Sequence, residues 1–253
     1  MATETERKGD VRMGFSAVFR PGMEDLGAGM LVKNRSLLRF CEDTAGFHTD
    51  NENVGLRGMG ERGLAWVMLA WDLAVYRRPA YGKDLTVTTR VRQTNRVHSW
   101  RDFTITGPGG DLLAEATSRW IVVQTKDHAV VPMPEDILRR FPEEPGGGLA
   151  GWRARRLDDL PEPEAQATTG IRRSRTDMLG HLHNLEYLSM AEDMLPAEAG
   201  DPGLIDVVTL RFRNEVRAGD TVRCVLSSFE GGGRVDILGP KGISASVCFG
   251  REI

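Results

Sequence analysis

The chain repeats itself. At an offset of 150 residues, Leu31-Val32-Lys33-Asn34 falls on His181-Leu182-His183-Asn184, Leu38 on Leu188, and Glu42-Asp43 on Glu192-Asp193. A repeat of this kind constrains the fold strongly, because each copy must find its packing partner in the other. Both halves run in the same order: a helical segment, a long apolar strand, then three strand-like segments joined by glycine-rich turns. Apolar periodicity predicts helices over Lys33 to Phe47 and Asn184 to Leu195, the second with Tyr187, Met190, Ala191 and Met194 on one face and Pro196 as its stop. Ala65 to Tyr76 and Asp206 to Glu215 read as the long strands. Each leads to a Gly-Asp-type turn, Tyr81-Gly82-Lys83-Asp84 and Ala218-Gly219-Asp220. Trp100–Thr106 and Leu112–Val123 form a hairpin around Pro108-Gly109-Gly110-Asp111. Leu226–Phe229, Val235–Leu238 and Ile243–Phe249 repeat the theme.

A helix with an apolar stripe and a curved antiparallel sheet bury each other, and two such sheets protect their edges by joining. The expected fold is therefore α+β: a tandem, or double, hotdog with two long helices, each wrapped by its own sheet, and the sheets joined edge to edge. The boundaries read as residues 11–131 for the first unit, 132–166 for a linker and 167–253 for the second unit. The linker contains Pro142-Glu143-Glu144-Pro145-Gly146-Gly147-Gly148, which has no periodicity. Trp152 and the basic residues Arg153, Arg155 and Arg156 imply that it lies across a surface.

Composition narrows the function. The 40% hydrophobic and 27% charged content with a net charge of −3 describes an ordinary globular chain and argues against a nucleic-acid partner. Met1 to Asp10 lacks the apolar core of a signal peptide, and no apolar run is long enough to span a bilayer. Cys41, Cys224 and Cys248 lack metal-site or disulfide spacing and read as thiols in a reducing compartment, the cytoplasm. No metal and no cofactor are expected.

Chemistry concentrates in Asp177-Met178-Leu179-Gly180-His181-Leu182-His183-Asn184-Leu185-Glu186-Tyr187. Two histidines, an aspartate and an asparagine precede a helix whose first N–H groups can stabilise an oxyanion. Thioester hydrolysis needs that feature together with a base that activates water, or a carboxylate that attacks the carbonyl. The segment resembles the Asp-x-Asn-x-His-x-Asn-Asn-x-x-Tyr motif of the acyl-acyl-carrier-protein (acyl-ACP) thioesterases, which are double-hotdog enzymes. Asp177, His181, Asn184 and Tyr187 are retained, and Glu215 stands 34 residues after His181, where the family carries a glutamate. Gly63-Leu64-Ala65-Trp66-Val67, Trp71 and the Tyr81 turn are similar to the family's N-terminal half.

The resemblance implies hydrolysis of fatty acyl-ACP in fatty acid biosynthesis, with an acyl carrier protein as partner. Asp177, His181 and Glu215 would be catalytic, and His183, Asn184 and Tyr187 would bind substrate. His181 and Glu215 would polarise water or the thioester, with Asp177 orienting His181 or attacking directly. Leu179 replaces the motif asparagine and Val216 the cysteine that follows the glutamate, so neither group serves here. The rivals are an acyl-CoA thioesterase on the same fold and an inactive acyl-thioester binding protein; a dehydratase lacks its own motif.

The first half has Leu31 and the Arg78-Pro79 region where the second has His181 and Glu215. It is therefore expected to enclose the acyl chain, with Met30, Phe40, Met68 and Trp66 as candidate lining. His48, His98 and His128 read as surface or core residues. Arg139-Arg140, Arg153-Arg155-Arg156 and Arg172-Arg173-Arg175 are candidate carrier-docking clusters. Because duplication satisfies the edge pairing internally, the chain is expected to be a monomer or a homodimer.

Overall fold

The computed structural model describes residues 14–144, 149, 162–196 and 200–250. The expected start near Val11, and Trp152, Arg153, Arg155 and Arg156, lie outside the described residues.

The first half consists of β1 (Phe15–Phe19), α1 (Asn34–Asn51), α2 (Leu56–Glu61), β2 (Leu64–Val75), β3 (Leu85–Thr94), β4 (Ser99–Thr106), β5 (Leu112–Gln124), β6 (Val130–Val131) and α3 (Glu135–Arg140). The second consists of β7 (Ala165–Gly170), α4 (Asn184–Glu192), β8 (Val207–Phe212), β9 (Thr221–Phe229), β10 (Gly232–Gly239) and β11 (Gly242–Gly250). Apart from β6, which pairs with β5, the strands form one antiparallel sheet in the order β1-β3-β4-β5-β2-β8-β11-β10-β9-β7. Each half is a hotdog, and β2 and β8 meet at the centre, where Ala70–Ala74 pair antiparallel with Arg211–Val207.

The repeat holds at the level of individual backbone contacts, at the 150-residue offset before the helices and at a shorter one after them. Bridges Leu26–Val32 and Thr176–Leu182 are equivalent, as are Leu31–Ala80 and His181–Arg217. Val32 N–H donates to Pro79 C=O, just as Leu182 N–H donates to Val216 C=O. Asn34 and Asn184 are the first residues of α1 and α4.

Each helix buries its apolar stripe against the concave sheet. From α1 come Leu37, Leu38, Phe40, Cys41 and Ala45, and from α4 come Leu185, Tyr187, Leu188, Met190 and Ala191, all in one core with Trp71, Leu73, Leu210 and Val247. From Met68 onward β2 is mostly buried, because this part is central to the sheet. A bulge between Met68 and Ala70 breaks its alternation and brings Met68 into the same core as Trp71 and Leu73.

The sequence expectations differ from the structure in several places. The second helix is not long: α4 has nine residues against eighteen in α1, because Met194 and Leu195 tighten into turns before Pro196, which has no N–H to continue the ladder. β8 ends at Phe212 rather than Glu215, where Arg213 N–H turns to Ser244 C=O. β1 and β7 precede their helices as edge strands, and α3 folds within the expected linker. Met30 does not line the concave face, since it is 64% exposed on a turn with positive φ.

The seam between the halves makes them one folding unit. Leu210→Ala, at a fully buried seam position, is expected to cost about 2–5 kcal/mol. Denaturant unfolding followed by far-UV dichroism and tryptophan fluorescence should give coincident transitions in both proteins.

Candidate active site

Asp177 builds the loop that carries His181. Its Oδ1 accepts the backbone N–H groups of Leu179 (2.8 Å) and His181 (3.1 Å), while its own N–H donates to His181 C=O at 2.8 Å. The turn needs a positive φ at Gly180 (76°), which a side chain would oppose. Asp177 therefore holds the His181 backbone, and its carboxylate does not pair with the imidazole. Leu179 and Met178 project into solvent, 57% and 75% exposed.

His181 Nε2 lies 3.1 Å from Glu215 Oε2. The approach is off the hydrogen-bond direction, so this buried nitrogen has no hydrogen-bond partner. Glu215 Oε1 faces the other way, 3.3 Å from Lys241 Nζ and 3.4 Å from the Arg217 guanidinium. Burial alone would raise the Glu215 carboxyl, but the Lys241 hydrogen bond and the charges of His181, Arg217 and Lys241 hold it below the usual glutamate range. Its position is fixed by a loop, with Asn214 Nδ2 tied to Ile243 C=O (2.8 Å) and Lys241 C=O (3.2 Å).

His183 caps α4, its Nδ1 accepting from Leu185 N–H at 3.3 Å. Burial, then the charge of Arg35, lowers its pKa and favours the neutral imidazole. Asn184 Nδ2 donates to Glu42 Oε1 (2.7 Å) and approaches Met68 Sδ (3.4 Å), so both groups it meets come from the first half. Tyr187 is 4% exposed and packs edge-on against Phe212, beneath the site and away from solvent. Asp177, His181 and Glu215 thus gather in one place, with His183 and Asn184 beside them at the start of α4 and Tyr187 below.

Three members had no signal in the sequence. Glu42 arrives from α1, Lys241 from the β10–β11 turn and His128 from the β5–β6 turn. His128 is the surface residue that the sequence suggests, and its Nδ1 lies 3.8 Å from Glu215 Oε2, at the border of the site. Nothing in a local pattern marks these residues, because tertiary register alone brings them here. A polar cavity of about 400 Å³ lies apart from this cluster, with Asp72, Arg92, Arg119 and Arg211 in its wall.

Residues 15–141 match the family model of the acyl-ACP thioesterase N-terminal domain, and residues 161–240 match that of the C-terminal domain. The chain belongs to the acyl-ACP thioesterase family. It is 25% identical over 198 residues to oleoyl-acyl carrier protein thioesterase 2, chloroplastic, of Arabidopsis thaliana, covering 72% of this chain and 52% of that one. To the oleoyl-acyl carrier protein thioesterase of Coriandrum sativum it is 22% identical over 251 residues, covering 90% and 67%. The chain spans about half the length of the Arabidopsis relatives it matches. Its fold is similar to that of an acyl-ACP thioesterase from Bacteroides thetaiotaomicron (TM-score 0.83, 16% identity, 94% of this chain and 97% of the other). It is also similar to that of the 12:0-ACP thioesterase from Umbellularia californica (TM-score 0.80, 16% identity, 97% and 98%).

Within this acyl-ACP thioesterase fold, the equivalent corner of the first half holds no such constellation. Leu31 occupies the place of His181. Arg78 occupies that of Glu215, where its guanidinium donates to Asn34 Oδ1 (2.6 Å) and Ile205 C=O (2.6 Å). There the residues bind one another.

Burial, together with the charges of Asp43 and Asp177, pushes the Glu42 carboxyl up to about 7 from the ordinary 4.5. A folded-state pKa above the unfolded value means this group favours the fold at low pH and disfavours it as pH rises through about 7. Glu42→Gln keeps an acceptor for Asn184 without the charge. Its melting temperature relative to wild type is expected to be higher at pH 8 than at pH 5, as measured by thermal unfolding in matched ionic strength.

Proposed function

We propose that this protein hydrolyses the thioester of fatty acyl-ACP, releasing a free fatty acid and the carrier thiol. The observation that carries this reading is the His181–Glu215 pair, beside an α4 N-terminus whose cap leaves an oxyanion-stabilising dipole. Glu215, held below the usual glutamate range, carries its charge 3.1 Å from His181 Nε2, so the two act together as the base that takes a proton from attacking water. The buried Nε2, unpartnered in the resting site, is ready to receive it. Asp177 contributes by holding the loop through backbone bonds. Catalysis through a Leu179 or Val216 side chain is excluded by their chemistry.

The family of the relatives, named for oleoyl-acyl carrier protein and 12:0-ACP substrates, supports a carrier-bound substrate in fatty acid synthesis. For docking, Arg172 and Arg173 are exposed just ahead of the Asp177 loop, and both suit an acidic partner. Arg175 pairs with Glu186 (3.6 Å) and Arg140 lies near Glu52 (3.8 Å), so these are less free. Cys41, Cys224 and Cys248 are unpaired thiols, in accord with a reducing compartment such as the cytoplasm; the plant relatives are named chloroplastic. No helix among the described residues is long and apolar enough to cross a membrane.

Thiol release from acyl-ACP and acyl-CoA of matched chain length tests the proposal. Wild type is expected to turn over acyl-ACP in preference, and His181→Ala and Glu215→Gln are each expected to lose about 10²–10⁴-fold in kcat. Preference for acyl-CoA would identify a different thioesterase on this fold. Absence of release from either would leave an acyl-thioester binding protein.

A further inference from the structure

Glu215 is approached by two imidazoles, and only one belongs to its own half. His181 Nε2 stands 3.1 Å from Oε2, and His128 Nδ1 stands 3.8 Å from the same oxygen. The rings are 6.4 Å apart between centroids and inclined at 74°. Oε1 is occupied by Lys241 and Arg217, so the carboxylate has one anchored oxygen and one that faces both histidines.

The turn that presents His128 is tightly made. His128 N–H donates to Gln124 C=O (2.9 Å), Gln124 N–H to Ala129 C=O (2.9 Å), and Ala129 N–H to Asp127 Oδ1 (3.0 Å). Thr125 N–H ties it to Gly63 C=O at 2.9 Å. Within this frame His128 itself takes a positive φ of 60°, a conformation uncommon for a residue with a side chain and one that concentrates at functional sites.

The two imidazoles differ in exposure. The His181 side chain is 22% exposed with its Nε2 buried, whereas that of His128 is 56% exposed. An acyl thioester has the same asymmetry: its apolar chain seeks cover, while the carrier arm comes in from solvent. We infer that His128, supplied by the N-terminal half, is the proton donor to the departing sulfur, opposite His181 on the water-activating side. The inference rests on the hydrolase reading above.

The steps balance. Water adds to the thioester carbonyl carbon as one of its protons passes to the His181–Glu215 base. The tetrahedral adduct collapses, the C–S bond breaks with its electron pair leaving on sulfur, and sulfur takes a proton from protonated His128 to become the thiol. The proton held by His181 then passes across Glu215 Oε2 to His128, restoring both rings and leaving a fatty acid.

A leaving-group comparison tests this. An acyl-pantetheine thioester releases an alkyl thiol that benefits from a proton, whereas the same acyl group on 4-nitrothiophenol releases a stable thiolate that does not. His128→Asn suits the position because asparagine tolerates a positive φ, and His128→Gln serves as a second variant. Both are expected to lose about 10–100-fold in kcat/KM on the pantetheine thioester and less than about threefold on the aromatic one. His181→Ala should lose on both alike. Equal losses on both substrates by the His128 variants, with melting temperatures unchanged, would overturn the proposal and reduce His128 to a positioning residue for Glu215. Undiminished activity on both would also overturn it. If wild type cleaved neither substrate, the hydrolase reading itself would fall, an outcome distinct from these.

Discussion

The register of the β2–β8 ladder is the constraint on which the site depends. Ala70–Ala74 against Arg211–Val207 is a short pairing, but it aligns two half-sheets into one. A slip of two residues would displace one half by about 7 Å, and a slip of one would also turn every side chain to the opposite face. Either would carry Glu42, Met68 and His128 away from Asn184 and Glu215. The bulge at Met68 adds a second setting, since it brings Met68 to the side where Asn184 lies.

Much of this fold was legible in the sequence because the repeat is carried by local chemistry. The Leu31–Asn34 and His181–Asn184 segments precede helices in the same way, and each makes the equivalent backbone bridges. The pairing of His181 with Glu215 was legible too, through a spacing that a resemblance could interpret. β1 and β7 were not. They are short edge strands, and β7 in particular is almost wholly exposed with no apolar alternation to betray it. The apolar spacing overextends α4 because Met194 continues it, although turn geometry has already taken over at Met194 itself. The sequence pattern carries the strand on to Glu215 because nothing local reveals that Arg213 turns toward Ser244. Glu42, His128 and Lys241 belong to the site only through tertiary contact, which no window of sequence contains.

The two equivalent corners show how one geometry supports opposite outcomes. In the second half an acidic side chain faces an imidazole whose nitrogen is left unpartnered. In the first, Arg78 fills the same corner, 11% exposed at its side chain, and satisfies Asn34 and the Ile205 carbonyl. A buried guanidinium with good acceptors stabilises the junction, and removing its partners would leave an uncompensated charge. Each corner leaves one buried nitrogen without a hydrogen-bond partner, Arg78 Nε in the first and His181 Nε2 in the second, but only the imidazole nitrogen can accept a proton from a reactant.

That difference has a genetic side. In a homodimer built from a single hotdog, every codon is read into both sites, so a substitution that improves one corner is imposed on its twin. Joining two copies in one reading frame ends that obligation. Arg78 and Glu215 can then drift independently, and a histidine placed on the rim of one copy can serve the other without reappearing at the opposite end. The tandem arrangement thereby turns a symmetric pair into a polar object, with one face free to specialise while the other keeps the halves together.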